Sequence, residues 1–434
     1  MADNSKSPAP SELCRVLRGL AAKRRDWAVD ALCRLVRAET VLGNEAEGQD
    51  IMARMFEDMG LAVDRFDCDY AGLAARRGYA APVVGSSAGR PNVVGIYDPP
   101  APAAGRSLVL NGHIDVVPAG APSSWASPPF DPQVRDGKVF GRGAGDMKAG
   151  LVANCLAFEL IRDAGLAPAS RVTYQSVIEE ECTGLGTLAC LARGYSGDGA
   201  IIPEPFGRTI LVAQLGVLWV EIEATGRSAH VLDTSRGLNA ILALYKIHEA
   251  LRALEAKWNL PENRPAAYRE TSHPINFNLG VIEGGDWPSS VPQRARMQVR
   301  VSFFPEQDLT EVKRRVEETV RREVAAREDL AGIGVTLNFR GHAAEGYVAP
   351  RSEFLERLKT AHRTVAGGVP SELASTATTD TRFFQIYDGV PATCYGPVGG
   401  NFHGVDEWVD IESMLDVAVV LALFTADWCG LLHA

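Results

Sequence analysis

The chain has 434 residues, 46% hydrophobic and 23% charged, so it can bury a large core and is expected to form more than one domain. Its formal net charge of −10 argues against nucleic acid or an anionic membrane surface as the main partner. No apolar run approaches the roughly 20 residues that span a bilayer, and the first residues lack a signal-peptide pattern. The eight cysteines form no CxxC pair, which favours free thiols in a reducing cytosol. We therefore expect a cytoplasmic protein.

The first half of the sequence predicts helices, followed by strands that alternate with helices. Residues 11–60 have a helical periodicity that ends at Gly60, before an extended stretch. Strands are predicted at 107–115, 171–181 and 199–204, and helices at 146–165 and 184–193. This βαβ order is typical of a sheet covered by helices, in which functional residues lie at the carboxyl ends of the strands.

Residues from about 214 to 340 follow a different order. The predicted elements are a strand at 216–226, a helix at 237–257, strands at 275–284 and 295–304, a helix at 308–328 and a strand at 334–341. This βαββαβ order is that of a ferredoxin-like α+β unit. Such a unit offers a free strand edge or helix face for pairing, so we expect a homodimer that forms through residues 214–341.

The end of the chain returns to the first pattern. A helix is predicted at 352–367, a short strand at 389–397 and a closing helix from about residue 411. These elements can complete the first sheet, so we expect one domain made of residues 1–213 and 342–434, interrupted by residues 214–341. The first ten residues and the Gly/Ala-rich stretch 71–90 are the segments that we expect to be most mobile.

Five potential metal ligands lie in five separate segments, each at the end of an apolar run. They are His113 in NGHIDVVP, Asp146 in FGRGAGDMKAG, Glu181 in IEEECTGLG, Glu204 in IIPEPFG and His403 in GPVGGNFHGVDEW. A structural zinc site favours closed shells of cysteine and histidine, which this set does not match. Three carboxylates and two imidazoles are the right number for two divalent ions that share a bridging carboxylate and leave a position for water. The set therefore predicts hydrolysis by a metal-activated water.

Each motif has a simpler explanation when it is taken alone. A lone buried histidine is more often a satisfied core residue, Asp146 could be a helix N-cap, and three consecutive glutamates could form a solvated acidic turn. The occurrence of all five motifs together, in this order and at strand ends, is much more specific. Beside such ligands, one glutamate of the triplet is interpreted as a ligand and its neighbour as a general base.

The ordered set HxD, GxGxxDMK, EEE, EP and H resembles that of the dinuclear zinc deacylases and peptidases. This family includes acetylornithine deacetylase, succinyl-diaminopimelate desuccinylase and glutamate carboxypeptidase, and the likeness runs from about residue 25 to 425. It implies a zinc-peptidase-like α/β catalytic domain, with a mixed sheet flanked by helices, and an inserted ferredoxin-like lid and dimerisation domain. It also implies two Zn²⁺ ions, although Co²⁺ or Mn²⁺ could occupy the same ligands.

The resemblance also implies a role for each residue of the metal centre. Asp146 would bridge the two ions, His113 and His403 would bind one ion each, and Glu181 and Glu204 would each complete the ligands of one ion. The family often has a cis peptide after the bridging aspartate, which here is the bond from Asp146 to Met147.

The residues next to the ligands would support catalysis. Glu180 would be the general base, and Asp115, two residues after His113, would orient its surroundings by hydrogen bonding. The register of the glutamate triplet leaves one alternative, in which Glu179 is the base and Glu180 the ligand.

Other motifs resemble the substrate side of the family. His230 in GRSAH matches the histidine that, in dimeric members, reaches the partner subunit's site and stabilises the oxyanion. Asn239 lies at the start of the accompanying helix. The sequence TTDTRFF matches a loop beside the substrate, and its candidate residues are Thr378, Asp380 and Arg382.

Two positions depart from the family pattern. The family often has an asparagine and, thirteen residues later, an arginine that holds the substrate carboxylate. This chain has Ser289 and Ser302 there, so the implied amino-acid carboxylate clamp is missing. Arg296 or Arg300 on the same predicted strand could replace it.

The sequence thus predicts a two-metal amidohydrolase that acts on a small-molecule substrate. The leading interpretation is a deacylase of a small N-acyl amino acid or N-acyl amine. One alternative is a dipeptidase or carboxypeptidase, and another is a hydrolase of a non-amino-acid amide such as an N-formyl aminopyrimidine. A binding or regulatory protein that has kept the fold but lost catalysis would lack a ligand, and none of the five is missing.

Overall fold

The computed structural model describes residues 9–100 and 104–433. Its α-helices are α1 (Pro10–Lys23), α2 (Arg25–Arg37), α3 (Ala46–Asp58), α4 (Tyr70–Leu73), α5 (Ala149–Asp163), α6 (Leu185–Ala192), α7 (Ala240–Trp258), α8 (Leu309–Ala326), α9 (Glu353–Ala366) and α10 (Ile411–Cys429).

The strands of the described residues are mostly short. They are β1 (Ala62–Asp67), β2 (Pro91–Tyr97), β3 (Leu108–His113), β4 (Gln133–Arg135), β5 (Lys138–Phe140), β6 (Leu166–Pro168), β7 (Val172–Val177), β8 (Ala200–Ile202), β9 (Ile210–Gln214), β10 (Gly216–Thr225), β11 (Phe277–Gly284), β12 (Arg294–Phe303), β13 (Gly334–Asn338), β14 (Ala343–Ala344), β15 (Tyr347–Val348), β16 (Glu372–Ser375), β17 (Ala392–Cys394), β18 (Gly399–Gly400), β19 (Trp408–Asp410) and β20 (Leu431–His433).

Six strands form a central mixed sheet in the order β1-β2-β7-β3-β8-β17. Strand β2 runs antiparallel to β1 and β7, whereas β7, β3, β8 and β17 run parallel to one another. Leu108 and Leu110 of β3 belong to the largest apolar cluster, and Val109 between them belongs to another. Because side chains alternate between the faces of a strand, this sheet is buried on both sides.

Helices from both ends of the chain cover the central sheet. Helix α10 packs against α1, α5 and α9, and α5 also contacts β3. Phe354 of α9 packs edge-on against Phe424 and Trp428 of α10, with ring centroids 5.1 and 5.0 Å apart. Aromatic pairs at this separation stabilise a core beyond the area that they bury. The last part of the chain therefore completes the layer that the first part begins.

A second sheet has the strand order β11-β12-β10-β13, and β14 adds a short pairing to β10. Its four main strands are antiparallel neighbours, and α7 and α8 pack against it. We call residues 216–338 the small unit. Its strands and helices follow the predicted βαββαβ order, and it has an apolar cluster separate from that of the central sheet.

The predicted elements are confirmed, with differences at their ends. The helix predicted from residue 146 begins as an irregular turn at Ala144–Lys148, because Asp146 and Met147 have non-helical backbone angles. The bond between these two residues is cis, as the resemblance implied. The predicted strand 171–181 ends at Val177, where the chain turns. Most of the predicted mobile N-terminus, residues 1–8, lies outside the described residues.

Within the described ranges, no helix combines the length and the apolar character that crossing a bilayer requires. The eight cysteines are all buried and unpaired, as the sequence predicted.

Candidate metal centre and substrate cavity

Three of the predicted ligands lie at one edge of the central sheet. Strand β3 ends at His113, the turn that contains Glu181 follows the neighbouring strand β7, and Glu204 follows the other neighbour, β8, by two residues. Because the carboxyl ends of adjacent parallel strands meet at one edge of a sheet, these three side chains converge there.

Asp146 reaches the same edge from the irregular turn before α5. The carboxylate of Glu407 accepts hydrogen bonds from the backbone N–H groups of Gly143, Gly145 and Asp146, at 3.0, 2.9 and 3.0 Å. The guanidinium of Arg142 donates to the same carboxylate at 2.6 Å. Glu407 therefore fixes the backbone that presents Asp146.

The five predicted ligands form two groups that share Asp146, and within each group the ligand atoms lie within 4.8 Å of one another. In the first group, His113 Nε2 lies 3.2 Å from Asp146 Oδ1 and 3.7 Å from Glu204 Oε1. In the second, His403 Nε2 lies 3.4 Å from Asp146 Oδ2 and 3.2 Å from Glu181 Oε2. The two oxygens of one carboxylate thus face the two groups.

The centre holds an excess of buried negative charge. In the described part of the chain, no lysine or arginine forms an ion pair with Asp146, Glu180, Glu181 or Glu204. Burial raises the pKa of the Glu204 carboxyl well above its ordinary value, and the carboxylates of Asp146 and Glu181 add to this effect. A buried cluster of this kind is stabilised by bound cations. The donor set therefore fits divalent metal ions.

His113 is oriented to bind through Nε2. Its Nδ1 lies 2.8 Å from the backbone carbonyl oxygen of Asp115. A carbonyl oxygen only accepts, so Nδ1 donates and Nε2 is the ring atom that faces Asp146 and Glu204. A carbonyl partner on the far nitrogen is usual for a histidine that binds metal.

The three consecutive glutamates have different surroundings. Glu181 belongs to the second ligand group, whereas Glu180 lines the cavity described below, with its Oε2 3.9 Å from His113 Nε2. Glu179 points away from the centre and pairs with Arg90 at 2.7 Å. The alternative with Glu179 as the base and Glu180 as the ligand would therefore need a base that is fully buried and already paired with Arg90.

Asp115 supports the turn that carries these glutamates. Its carboxylate accepts hydrogen bonds from the backbone N–H groups of Glu180 at 3.3 Å and Glu181 at 3.1 Å. Its own side chain is completely buried, and burial raises its pKa to about 8. Asp115 therefore contacts both the turn and, through its carbonyl, the ring of His113.

A cavity of about 270 Å³ extends from the centre to the second sheet. On that side its wall includes Trp219 of β10, Arg300 of β12 and His342. Trp219 and Arg300 are register partners, and the backbone N–H of Trp219 donates to the carbonyl of His342 at 2.7 Å. Register partners point to the same face of an antiparallel sheet, so these residues form a row opposite the carboxylates. Two further aromatic side chains line the cavity, Phe206 and Phe402.

The sequence model of peptidase family M20/M25/M40 matches residues 109–427. This chain belongs to that family. It is a metal-dependent hydrolase of amide bonds, as the sequence predicted. The M20 assignment agrees with the resemblance that the ordered motifs indicated.

The sequences of two relatives match most of the length of this chain. The N-formyl-4-amino-5-aminomethyl-2-methylpyrimidine deformylase of Bacillus subtilis is 31% identical over 363 residues, which cover 79% of this chain and 84% of that protein. The succinyl-diaminopimelate desuccinylase of Maricaulis maris is 27% identical over 405 residues, 90% of this chain and 92% of that protein. The crystal structure of human carnosine dipeptidase 1 has a TM-score of 0.77 at 18% identity, and the match covers 98% and 100% of the two chains. The last likeness shows a shared fold.

Of the residues predicted on the TTDTRFF loop, only Thr378 lines the cavity. Asp380 is buried and accepts a hydrogen bond from the hydroxyl of Thr187 at 2.6 Å. Arg382 is also buried, and its guanidinium donates to the carbonyl oxygens of Thr379 at 2.8 Å and Thr183 at 3.0 Å. Neither Asp380 nor Arg382 lines the cavity, and both make buried contacts within the chain.

Four other predicted residues lie away from the metal centre. Ser302 is buried, and its hydroxyl exchanges hydrogen bonds with the backbone of Asn276. Asn239 caps α7, while Ser289 and His230 are exposed. His230 lines a separate surface depression rather than the cavity. Within one chain, none of these four side chains lines the metal-centre cavity.

The sequence did not single out Glu407, Trp219 or His342. Glu407 lies four residues after His403, inside a quoted motif, but an acidic loop residue has no distinguishing pattern. His342 directly follows a predicted strand, as several ligands do, and that position was a usable signal.

Glu407→Gln is expected to destabilise the metal-free protein by about 3–5 kcal/mol, because it leaves the buried guanidinium of Arg142 without its counter-charge. The measurement is the shift in the urea unfolding curve. Glu412→Gln, at a side chain 73% exposed and paired with Arg25, is the matched control and should change the free energy of unfolding by less than about 0.5 kcal/mol. Equal effects of the two substitutions would contradict the role given to Glu407.

Proposed function

We propose that this chain hydrolyses the amide bond of a small N-acyl amine or N-acyl amino acid. The observation that carries the proposal is the position of Glu180. This residue lies beside the two ligand groups that share Asp146, and it also lines the cavity of about 270 Å³. Ligand pockets usually begin at about 300 Å³, so this cavity favours a small substrate. The two relatives described above are named as a deformylase and a desuccinylase.

The centre would hold two divalent ions, Zn²⁺ in the first instance, with Co²⁺ or Mn²⁺ as substitutes on the same nitrogen and oxygen ligands. One ion would take His113, Asp146 and Glu204, and the other would take Asp146, Glu181 and His403. When bound, the ions supply an activated water and polarise the acyl carbonyl.

Glu180 would act as the general base and then as the general acid. Its carboxyl is not needed as a ligand, it lines the cavity, and burial raises its pKa well above the ordinary value. It would take a proton from the attacking water and return it to the nitrogen of the leaving amine. Asp115, which accepts hydrogen bonds from the turn, would keep Glu180 pointed at the acyl carbon.

Arg300 is the candidate that would orient a substrate carboxylate. Its guanidinium lines the cavity, donates to the carbonyl of Thr376 at 3.2 Å, and has no ion-pair partner among the described residues. Arg296, the other candidate on β12, is exposed and pairs with Glu283. Arginine binds carboxylates through two parallel hydrogen bonds, so Arg300 would favour an N-acyl amino acid over a neutral amide.

A second candidate function is deformylation of an N-formyl aminopyrimidine. Two observations favour it: Phe206, Trp219 and Phe402 line the cavity, and the relative with 31% identity is named for this reaction. Aromatic side chains stack on flat rings. A dipeptidase or carboxypeptidase is the remaining alternative.

The small unit would serve as a lid and a dimerisation surface. We place the domain boundaries at 1–213, 214–341 and 342–434. Strand β11 is an edge strand with exposed residues along most of its length. Large exposed apolar side chains also concentrate in this region: Val231, Leu232, Leu242, Tyr245, Val281, Ile282 and Trp287. A second copy of the chain would cover them and could bring its His230 to the partner's centre to stabilise the oxyanion.

The eight buried, unpaired cysteines support a reducing compartment, so we place the protein in the cytoplasm.

Glu180→Gln is expected to lower kcat by about 10²–10⁴-fold, because the amide can neither take nor return the proton. Bound metal, measured by elemental analysis, should stay at the wild-type level. The assays use N-acetyl, N-formyl and N-succinyl compounds beside dipeptides. Retained activity would reject Glu180 as the base, and cleavage of dipeptides alone by the wild type would reject the deacylase function.

Arg300→Met is expected to lower kcat/KM for N-acyl amino acids by about 10–100-fold, because the substrate carboxylate loses one charged hydrogen-bonding partner. Hydrolysis of N-acyl amines that lack a carboxylate should change little. Arg296→Met, on the same strand but outside the cavity, is the matched control and should leave both substrate classes unaffected. An equal loss on neutral and anionic substrates would show that Arg300 does not select the carboxylate.

The wild type is expected to have twice the chain mass by light scattering, and Trp287→Glu should convert it to the monomer. The side chain of Trp287 is 67% exposed, and a carboxylate there would be buried in the dimer at high cost. Val369→Glu, at a side chain 68% exposed and outside the small unit, serves as the control. A monomeric wild type would reject both the dimer and the role of His230 across it.

A further inference from the structure

We infer that Glu45, Arg90 and Glu179 form a buried ionic triad whose role is to position the Glu180–Glu181 turn for metal binding. The three residues come from three distant segments: the loop before α3, the residue before β2 and the turn after β7. None of them belongs to a ligand group, and none lines the cavity.

The contacts of the triad are short and mutually satisfied. Arg90 Nε and Nη2 donate to the two carboxylate oxygens of Glu45 at 2.7 and 2.6 Å, and Nη2 also donates to Glu179 at 2.7 Å. The other oxygen of Glu179 accepts from the hydroxyl of Thr183 at 2.8 Å, and Glu45 accepts from the backbone N–H of Gly43 at 3.0 Å. Both carboxylates therefore have partners on each oxygen.

Stability alone does not explain such a group. Glu45 and Glu179 are completely buried and Arg90 is 4% exposed. Removing charges from water at such sites costs about as much as their attraction returns, so a buried ion pair is weak evidence for stability. Its better supported use is to specify one arrangement of the chain.

The arrangement that the triad specifies is the turn itself. Glu179 has a φ of +70°, in the left-handed region that residues other than glycine seldom adopt. Its carbonyl oxygen accepts from the backbone N–H groups of Cys182, Thr183 and Gly184 at 3.3, 2.8 and 2.6 Å. Holding the Glu179 side chain on Arg90 therefore fixes this residue in its unusual conformation, from which the next two glutamates face the centre.

The same support reaches the strand that carries His113. In the segment just before Glu45, the hydroxyl of Thr40 donates to the carbonyl of Ile114 at 2.6 Å, and the backbone N–H of Val116 donates to the carbonyl of Thr40 at 2.9 Å. The segment from Thr40 to Glu45 thus connects the residues that follow β3 with the glutamate turn, through Thr40 at one end and the Glu45–Arg90 contact at the other. Asp115 holds the turn by its backbone, and the triad holds it by the Glu179 side chain.

The test is the affinity of the metal-free protein for Co²⁺, which is measured through the visible absorption of the bound ion. A second measurement determines the affinity for Zn²⁺ by competition with a chelator. Arg90→Lys keeps the charge but loses the planar fork that spans both carboxylates. Its dissociation constant for Co²⁺ is expected to rise about 10–100-fold, the usual effect of altering a residue that orients metal ligands. The absorption spectrum should change. Lysine leaves some of the buried carboxylate oxygens without a donor and lowers the thermal midpoint of the metal-free protein, but circular dichroism should show the metal-free variant still folded at the temperature of the titration.

Two further variants make the result decisive. Glu179→Gln keeps the size of the side chain and its contact with Thr183, and should weaken Co²⁺ binding in the same direction. Arg171→Lys alters an arginine that binds Asp98 through two hydrogen bonds on the surface and should leave Co²⁺ binding unchanged.

Unchanged Co²⁺ affinity and spectrum in Arg90→Lys and Glu179→Gln would overturn the inference. A loss of affinity matched by unfolding of the metal-free protein would also overturn it, in favour of a purely structural role. The titration needs no substrate. A wild type that binds Co²⁺ but cleaves no amide would therefore reject the proposed function and leave this inference standing.

Discussion

The structure depends on the placement of several carboxylates at one buried edge of a sheet, where no lysine or arginine of the described residues forms an ion pair with them. Asp146, Glu180, Glu181 and Glu204 converge there with two imidazoles and repel one another. Their mutual repulsion would drive these side chains apart unless the backbone held them and cations compensated their charge. The same crowding opposes the folded metal-free state and favours the binding of divalent cations.

The backbone is held by carboxyl groups that lie one layer behind the ligands. Glu407 binds three N–H groups around Asp146, and Asp115 binds the N–H groups of Glu180 and Glu181. These carboxylates act on peptide groups, so they fix the chain without competing for the metal positions. The centre is therefore built from two kinds of carboxylate, those that face the cavity and those that secure the loops.

The two sheets contribute different residues to the site. The edge of the central sheet supplies the ligands and Glu180, whereas the second sheet presents Trp219, Arg300 and His342 to the opposite side of the cavity. The relatives named above carry the names of different substrates, as expected where specificity is set by the side chains of a site rather than by the fold.

Much of the architecture followed from local patterns. Apolar runs of period two and helical segments predicted the central sheet and the βαββαβ order of the small unit, because the exposure of successive side chains is a property of neighbouring residues. The differences arose where the chain leaves regular structure. The predicted helix at 146–165 begins only at Ala149, since the turn before it must present Asp146, and the strand 171–181 ends early at the glutamate turn.

The sequence by itself determined the ligand types, their order and their positions at strand ends, and hence the metal-dependent chemistry. Only the tertiary structure decided the direction of each side chain. Glu179 pairs with Arg90, whereas the next two residues, Glu180 and Glu181, face the centre. Ser302 is buried, whereas Arg300, two residues earlier, lines the cavity. It also revealed Glu407, whose partners lie more than 260 residues away in the chain. The reason is physical: residue type and periodicity are local properties, whereas the contacts that orient a polar side chain come from segments that only folding brings together.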